Sequence, residues 1–312
     1  MEKKPPLIVI LGYTGSGKTE WGIFLAKKFN GEIICADSRQ IYKEMNIGTA
    51  KPEIEKEEMI DKEKAKIVKG VPHYLLDILD LKKDYSAALF KKDAKRIAKK
   101  ILKRKKIPFL VGGTYHYIQG VVENFEFPKV PPQKKLREKL SQKTEKELFL
   151  IYQKLDPEGA KLIEKENKRR LIRAIEVCTV TKKPFFSQRK KGEREFEVLK
   201  IGIKLHPKDL EKRIKKRLDK MLKKGLEKEA KLLLEKYGKI PPLLTIGYKE
   251  WFPFFEGKIK RKEAIEQILK NTLDYVKYQR KWFKKDKEIH WCSKKEEAEK
   301  LIKNFLKNAN KN

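Results

Sequence analysis

Cysteine is scarce: Cys35, Cys178 and Cys292 are the only three in 312 residues, and none sits in a CxxC or Cys/His spacing. Neither a disulfide framework nor a zinc site can be read from them, and a reducing compartment fits best. Long hydrophobic runs are missing too. The apolar run at residues 7–11, preceded by Lys3 and Lys4, is shorter than a signal-peptide core and far short of a membrane span. A cytoplasmic protein with no membrane association is expected. Acidic residues are the minority, 44 Asp+Glu against 78 Lys+Arg, which leaves a net charge of +34. Solubility needs only a few charges, and adaptation to heat raises Lys and Glu together, which creates little net charge. The excess therefore points to a polyanionic partner, nucleic acid above all. What is present suffices for a real core: 39% hydrophobic residues, with 15 Phe and 11 Tyr, can fill one large domain or two modest ones.

Residues 7–11 read as a buried strand, because they are continuously apolar, follow Pro5-Pro6 and end at Gly12. A helix follows with Trp21, Phe24, Leu25 and Phe29 in helical period until Asn30-Gly31 stops it, and residues 33–36 form a second strand. Ser86 can cap a helix with the inner face Phe90, Ala94, Ile97, Ala98 and Ile101, which feeds a strand at 107–111 ending at Gly112-Gly113. This alternation predicts an α/β fold of the P-loop NTPase-like class, a parallel sheet with helices on both faces. Beyond Phe125 the pattern changes. Pro128, Pro131 and Pro132 mark a boundary, followed by short charged helices: a capping box at Thr144 and Glu147, a start at Asp156-Pro157 and a helix over 168–181. The sheet resumes where Leu199, Ile201, Ile203 and Leu205 alternate with Lys200, Gly202 and Lys204. Helices then fill 209–237, broken near Gly225, and 261–285, before a last strand at 289–291. The expected organisation is a catalytic core from residues 1–124 and 198–312, with an all-helical insertion domain at 125–197.

The segment Gly12-Tyr13-Thr14-Gly15-Ser16-Gly17-Lys18-Thr19 fits GxxxxGK[ST] between a buried strand and a helix, the context the motif requires. Glycines let backbone N–H groups converge on phosphate oxygens, and the helix start adds a positive dipole. Lys18 reaches the terminal phosphates and Thr19 can hold Mg²⁺. A diphosphate is enough to fill such a loop. ATP hydrolysis would call for a metal-holding acid at the end of a later strand, yet the strand at 107–111 ends in Gly112-Gly113-Thr114. The acid that does end an apolar strand is Asp37. It is either a turn or helix cap or a group facing the crevice at the carboxyl edge of the sheet, where ligands bind.

Further segments extend the pattern. Residues 36–42 read Ala-Asp-Ser-Arg-Gln-Ile-Tyr, 45–52 read Met-Asn-Ile-Gly-Thr-Ala-Lys-Pro, and 72–78 read Pro-His-Tyr-Leu-Leu-Asp-Ile. Then come Tyr85-Ser86-Ala87, Val111-Gly112-Gly113-Thr114, Arg170-Leu171-Ile172-Arg173-Ala174-Ile175-Glu176-Val177, Ile246-Gly247-Tyr248-Lys249-Glu250 and Gln279-Arg280-Lys281-Trp282-Phe283. In this order, over about residues 8 to 291, the chain resembles the tRNA dimethylallyltransferases, also called tRNA isopentenyltransferases. Tyr13 and Gly15 stand where the family commonly has Pro and Ala, and Thr114-Tyr115-His116 and Glu166-Asn167-Lys168-Arg169 also depart from its usual pattern. The zinc finger that eukaryotic relatives carry at the C-terminus is missing, which points to the bacterial type.

The resemblance implies transfer of a dimethylallyl group from dimethylallyl diphosphate to N6 of the adenosine at position 37, beside the anticodon of tRNA. The products would be N6-dimethylallyladenosine and diphosphate. Asp37 would take the N6 proton and Thr114 would orient the amine or the diphosphate. Gly12, Thr14, Gly15, Ser16, Gly17, Lys18 and Thr19, with Mg²⁺ at Thr19, would hold the leaving group together with Arg217. For the anticodon stem-loop the resemblance marks Asp37, Ser38, Arg39, Gln40, Gly247, Tyr248 and Gln279; Arg169, Arg170 and Arg173 on one helix, and Lys277, Arg280 and Lys281 around Trp282 on another, are each alone more often a solvated face but together with the +34 charge favour RNA. Without the resemblance, Arg213 and Arg217, one turn apart, read as a solvated helix face, and Trp282 reads as core. A monomer is expected.

Three other readings stay open on the sequence. A relative that prenylates free adenine nucleotides would need no basic clamp. A P-loop kinase of a small metabolite would need the missing metal-binding acid. A non-catalytic RNA-binding protein would leave Asp37 beside a complete phosphate loop unexplained.

Overall fold

In the computed structural model, which describes residues 4–188 and 190–311, the chain begins β1 (Pro6–Leu11), α1 (Lys18–Lys28) and β2 (Gly31–Ala36). It continues β3 (Lys56–Ile60), β4 (Glu63–Val68), β5 (Val71–Tyr74), α2 (Ala87–Lys103), β6 (Ile107–Gly112) and α3 (Tyr115–Val122). Four helices follow: α4 (Lys134–Ser141), α5 (Glu145–Leu155), α6 (Pro157–Ala160) and α7 (Lys168–Thr181). The remainder is β7 (Glu197–Ile203), α8 (Pro207–Lys223), α9 (Leu226–Tyr237), α10 (Phe252–Phe255), α11 (Arg261–Phe283), β8 (Ile289–Cys292) and α12 (Lys295–Lys311).

The strands form one sheet in the order β3-β4-β5-β2-β6-β1-β7-β8, parallel from β5 through β8. Strand β1, between β6 and β7, can be covered on both faces because it is apolar on both sides. Its Leu7, Val9 and Leu11 face Phe90, Ala94 and Ile97 of α2, while Ile8 and Ile10 face Trp21 and Leu25 of α1 and Ile302 of α12. Truncating a fully buried ring such as Phe90 to Ala would cost about 3–5 kcal/mol. A third cluster joins α8, α9 and α11 to the segment after β2, through Tyr42, Met45, Leu218, Leu226, Tyr248, Trp251 and Ile268.

Two features depart from the expected pattern. The sheet is not parallel throughout: β4 runs antiparallel to both β3 and β5, adding a hairpin edge. Strand β7 alternates apolar residues with Lys200 and Gly202, yet it is buried throughout from Leu199 to Ile203. Lys200 is 2% exposed, its ammonium paired with Asp286 at 2.9 Å and Glu288 at 2.8 Å. Gly202 leaves room for Ile289 and Trp291, whose atoms would lie 2.6 and 2.7 Å from a Cβ there.

Two compact units result. One comprises residues 1–122 and 195–312; the other, residues 123–194. The second has its own core of Leu148, Tyr152, Leu171, Ala174 and Ile175. Helices α5, α6 and α7 start on built caps, Thr144 with Glu147 as a capping box, Asp156 ahead of Pro157, and Asn167 accepting from Arg170 N. Glu176 is fully buried there. Burial alone would raise its pKa, but hydrogen bonds from Arg137, the Gln133 amide and Arg173 hold it down at about 2.

Candidate active site

The turn from β1 into α1 is made by glycines in the left-handed region: Gly15 has φ +81° and Gly17, capping α1, has φ +91°. Ser16 N donates to Tyr13 O at 3.1 Å and Lys18 Nζ donates to the same carbonyl at 2.8 Å, which folds the lysine back over the loop. Ser16 Oγ is buried and has no hydrogen-bond partner among the described residues. Burial pulls the Lys18 pKa down to about 8; Asp37 pulls the other way and Arg217 adds to the fall. Thr19 is half-buried in the first turn of α1.

Asp37 follows β2 directly. Its Oδ1 accepts from Arg39 N at 2.8 Å and Gln40 N at 3.3 Å, so the capping role is real for one oxygen. The carboxylate still faces the crevice, lining one cavity with Lys18, Thr14 and Arg217. Thr114, just past β6, locks this rim: its N donates to Ala36 O at 3.2 Å and its Oγ1 accepts from Ser38 N at 3.0 Å. From α8, Arg217 Nη2 donates to Thr49 O at 3.3 Å and Arg213 Nη1 to Ser16 O at 3.4 Å. Burial lowers the Arg217 pKa, and Asp37 opposes it. Arg217 is thus half-buried in the cavity wall, while Arg213 reaches the loop yet stays exposed, as a solvated face would have it. An apolar stretch of the cavity wall is formed by Ile214, Leu218, Met221, Ile246 and Ile268, with Thr245 and Thr272 beside it. Tyr275 stands in it as well, its hydroxyl pushed up to about 12 by burial and then by Asp37.

Several residues marked for RNA are also engaged within the fold. Gln279 is 4% exposed; its Oε1 accepts from Thr14 N at 2.9 Å and its Nε2 donates to Gly113 O at 3.2 Å. It joins α11 to the phosphate loop. Tyr248 is fully buried and donates to Glu229 at 2.7 Å, so no RNA group can reach its ring. Gln40 donates to Thr49 O at 3.1 Å and Ala50 O at 3.3 Å. Gly247, at φ +95°, packs against Gly48 O, which a Cβ would approach to 3.3 Å. Arg173 is taken by Glu176 at 2.6 Å and Val130 O at 3.0 Å, and Arg170 lies 3.6 Å from Glu164.

Other marked residues do offer a surface. Ser38 and Arg39 line the cavity beside Asp37. Lys277, Arg280 and Lys281 are exposed on α11, and Arg169 is exposed on α7 in the helical unit. Trp282 is half-buried rather than core, with His116, Tyr115 and Tyr278 rings at 5.5, 5.9 and 6.1 Å. Glu229 was not singled out from the sequence and lies in no spacing that announces a site; Thr49 entered only as part of the 45–52 segment.

A family model described as IPP transferase matches residues 40–286, and one described as isopentenyl transferase matches residues 5–71. A tRNA dimethylallyltransferase of Pelotomaculum thermopropionicum is 38% identical over 297 residues, covering 93% of this chain and 91% of its own. One of Halothermothrix orenii is 40% identical, covering 96% and 93%. The crystal structure of the full-length tRNA isopentenylpyrophosphate transferase of Bacillus halodurans matches with a TM-score of 0.72 at 31% identity, over 99% of both chains. A eukaryotic dimethylallyltransferase captured acting on tRNA matches with a TM-score of 0.72 at 30% identity, over 89% of this chain and 69% of its own. Likeness of this length and degree leaves one conclusion, that the chain belongs to the IPP transferase family, among the tRNA dimethylallyltransferases.

Proposed function

We propose that this chain transfers a dimethylallyl group from dimethylallyl diphosphate to N6 of adenosine 37 in tRNA. One observation carries the reading: Asp37, Lys18 and Arg217 line the same cavity, part of whose wall is apolar. The diphosphate lies on the loop amides, Lys18 and Arg217, and the allylic chain lies against Ile214, Leu218 and Met221. N6 attacks the allylic C1 as the C1–O bond to diphosphate breaks, and the N6 proton passes to Asp37 Oδ2, the oxygen not used in the turn. The electron pair of the broken bond leaves with the diphosphate, so the charge that develops falls where the cations are. Thr114 acts by fixing the Asp37–Ser38 rim.

Mg²⁺ fits this donor set. No group of three or more His, Cys, Asp or Glu side chains that could hold a metal occurs among the described residues, and a hard ion carried mainly by phosphate and water oxygens needs little from the protein. Thr19 would supply the hydroxyl ligand, and the ion would add neutralising charge.

The adenosine must leave its stack to reach Asp37. Arg39, Lys277, Arg280 and Lys281, with Arg169 of the helical unit, supply phosphate contacts for the anticodon stem-loop, and Trp282 offers a stacking face. Gln40 and Gln279, bonded within the fold, and the buried Tyr248 support that contact by fixing the segments around the cavity. No helix among the described residues is long and apolar enough to cross a membrane; a cytoplasmic monomer is the reading that goes with this substrate.

The test is to incubate the protein with dimethylallyl diphosphate, Mg²⁺ and an unmodified anticodon stem-loop, then with AMP or ATP in place of RNA, and to find the prenylated adenosine by mass. Product is expected with RNA only. Asp37→Ala should lower kcat by about 10²–10⁴-fold, the range for a lost general base, with RNA binding largely kept. A fully active Asp37→Ala enzyme would remove the base assignment.

A further inference from the structure

Glu229 lies on α9 and is not itself part of the cavity wall. Its carboxylate nevertheless gathers three consecutive backbone amides. Oε2 accepts from Asn46 N at 3.2 Å and Ile47 N at 2.9 Å, while Oε1 accepts from Ile47 N at 3.0 Å, Gly48 N at 3.0 Å and the Tyr248 hydroxyl at 2.7 Å. Successive N–H groups that converge in this way form an anion-binding concavity, and here the protein fills it with its own carboxylate.

The other side of the same segment faces the chemistry. Gly48 and Thr49 line the cavity with Asp37 and Lys18, and Thr49 O is the acceptor for Arg217 Nη2 at 3.3 Å. The approach is too close for any side chain at position 48, since a Cβ would lie 2.4 Å from the Tyr248 ring. The far end is tied by Lys51, whose ammonium donates to Tyr42 O and Asn46 Oδ1, each at 2.8 Å, and to Asp77.

We infer that Glu229 is a positioning residue for donor binding, acting through the segment 46–49 to set where Arg217 holds its guanidinium. The inference rests on the reading of Arg217 as a diphosphate ligand. Removing the brace leaves the guanidinium in the cavity but lets its carbonyl acceptor drift, so the cost falls on the donor and not on RNA.

Glu229→Gln keeps the shape but turns an NH₂ group against N–H donors. The KM for dimethylallyl diphosphate is expected to rise about tenfold or more, as for unmade hydrogen bonds to a charged acceptor, while the KM for the stem-loop stays within about twofold. In an Arg217→Lys background, the same substitution should add less than about threefold, because coupled residues are not additive. A donor KM equal to wild type, or effects of the two substitutions that multiply in full, would overturn the inference. A loss of activity explained wholly by a smaller active fraction, at unchanged KM, would overturn it too. If Glu229→Gln does not fold, Glu229→Asp replaces it: one methylene shorter and equally charged, it should raise the donor KM in the same selective way, and wild-type kinetics would again be fatal. Arg217→Lys alone separates the two readings. If it leaves the donor KM untouched, the diphosphate role of Arg217 fails and this inference with it; if only Glu229 proves silent, the proposed function stands.

Discussion

Lys18 carries a titration that the reaction should report. In the proposed role its ammonium is the form that would grip the diphosphate, and burial has brought its pKa down to about 8, against the pull of Asp37. The charged form therefore prevails below about 8 and is lost above it. The kcat/KM for dimethylallyl diphosphate is expected to fall as pH rises through about 8. Lys18→Arg, with a guanidinium that stays charged past pH ~12, should be slower but lose that alkaline fall; a wild-type profile flat from pH 7 to 10 would contradict the assignment. The residues on which this rests were legible because their partners are local: glycine spacing fixes the loop, and an acid ending an apolar run fixes Asp37. Gln279 was marked, but for RNA, and its partner, like that of Glu229, was not legible. Gln279 meets Thr14 from 265 positions away and Glu229 meets Gly48 from 181, and nothing in the neighbouring residues of either foretells the partner. Tyr248 shows the same limit in reverse, since a motif position can mark a packing requirement, here the seat of Gly48, as readily as a contact with substrate.

Among the elements, the parallel core was readable because continuous apolar strands and amphipathic helices carry period and length together. The hairpin edge was hidden. β3 reads Lys-Glu-Glu-Met-Ile and is mostly exposed, and the two tight turns are built from residues without the usual Asn-Gly signature. Asp61 and Lys62 have φ +48° and +64°, and Lys69 and Gly70 have φ +50° and +72°, the paired left-handed geometry that two-residue hairpins use. On the next strand, β5, His73 gives the element its own pH response. It is 3% exposed, its Nδ1 lies 2.9 Å from Val71 O, and burial lowers its pKa from 6.5 to about 4. The folded state keeps the ring neutral while the unfolded chain protonates it below 6.5, so this contribution is whole above 6.5 and is lost as pH falls toward 4. The gap is worth about 3 kcal/mol. Urea midpoints for wild type and His73→Leu should diverge in slope across that window, with the variant losing less stability between pH 6.5 and 4; parallel curves would show that His73 is solvated in the native state.

Taken whole, the molecule is a strong polycation, with a net charge of +34. Many of its cations are paired within the fold, as Lys200 and Arg173 are, yet no internal set of 44 acids can neutralise 78 bases. The surplus must face solvent or a partner. An anticodon loop offers phosphates, and each one that a cation neutralises releases counterions, so affinity falls with log salt at about −0.7 per contact on single strands. With about five such contacts, kcat/KM for the stem-loop should drop on the order of 10²-fold between 50 and 200 mM salt. The donor should respond far less, because the proposed diphosphate site lies inside a partly buried cavity where screening is weak. Replacing Lys281 by Ala, on the exposed face of α11, should lower the RNA slope by somewhat under one and leave the donor KM alone. An RNA slope near zero would mean that the charge excess serves something other than this substrate, and that the adenosine is recruited by shape and stacking without help from the backbone.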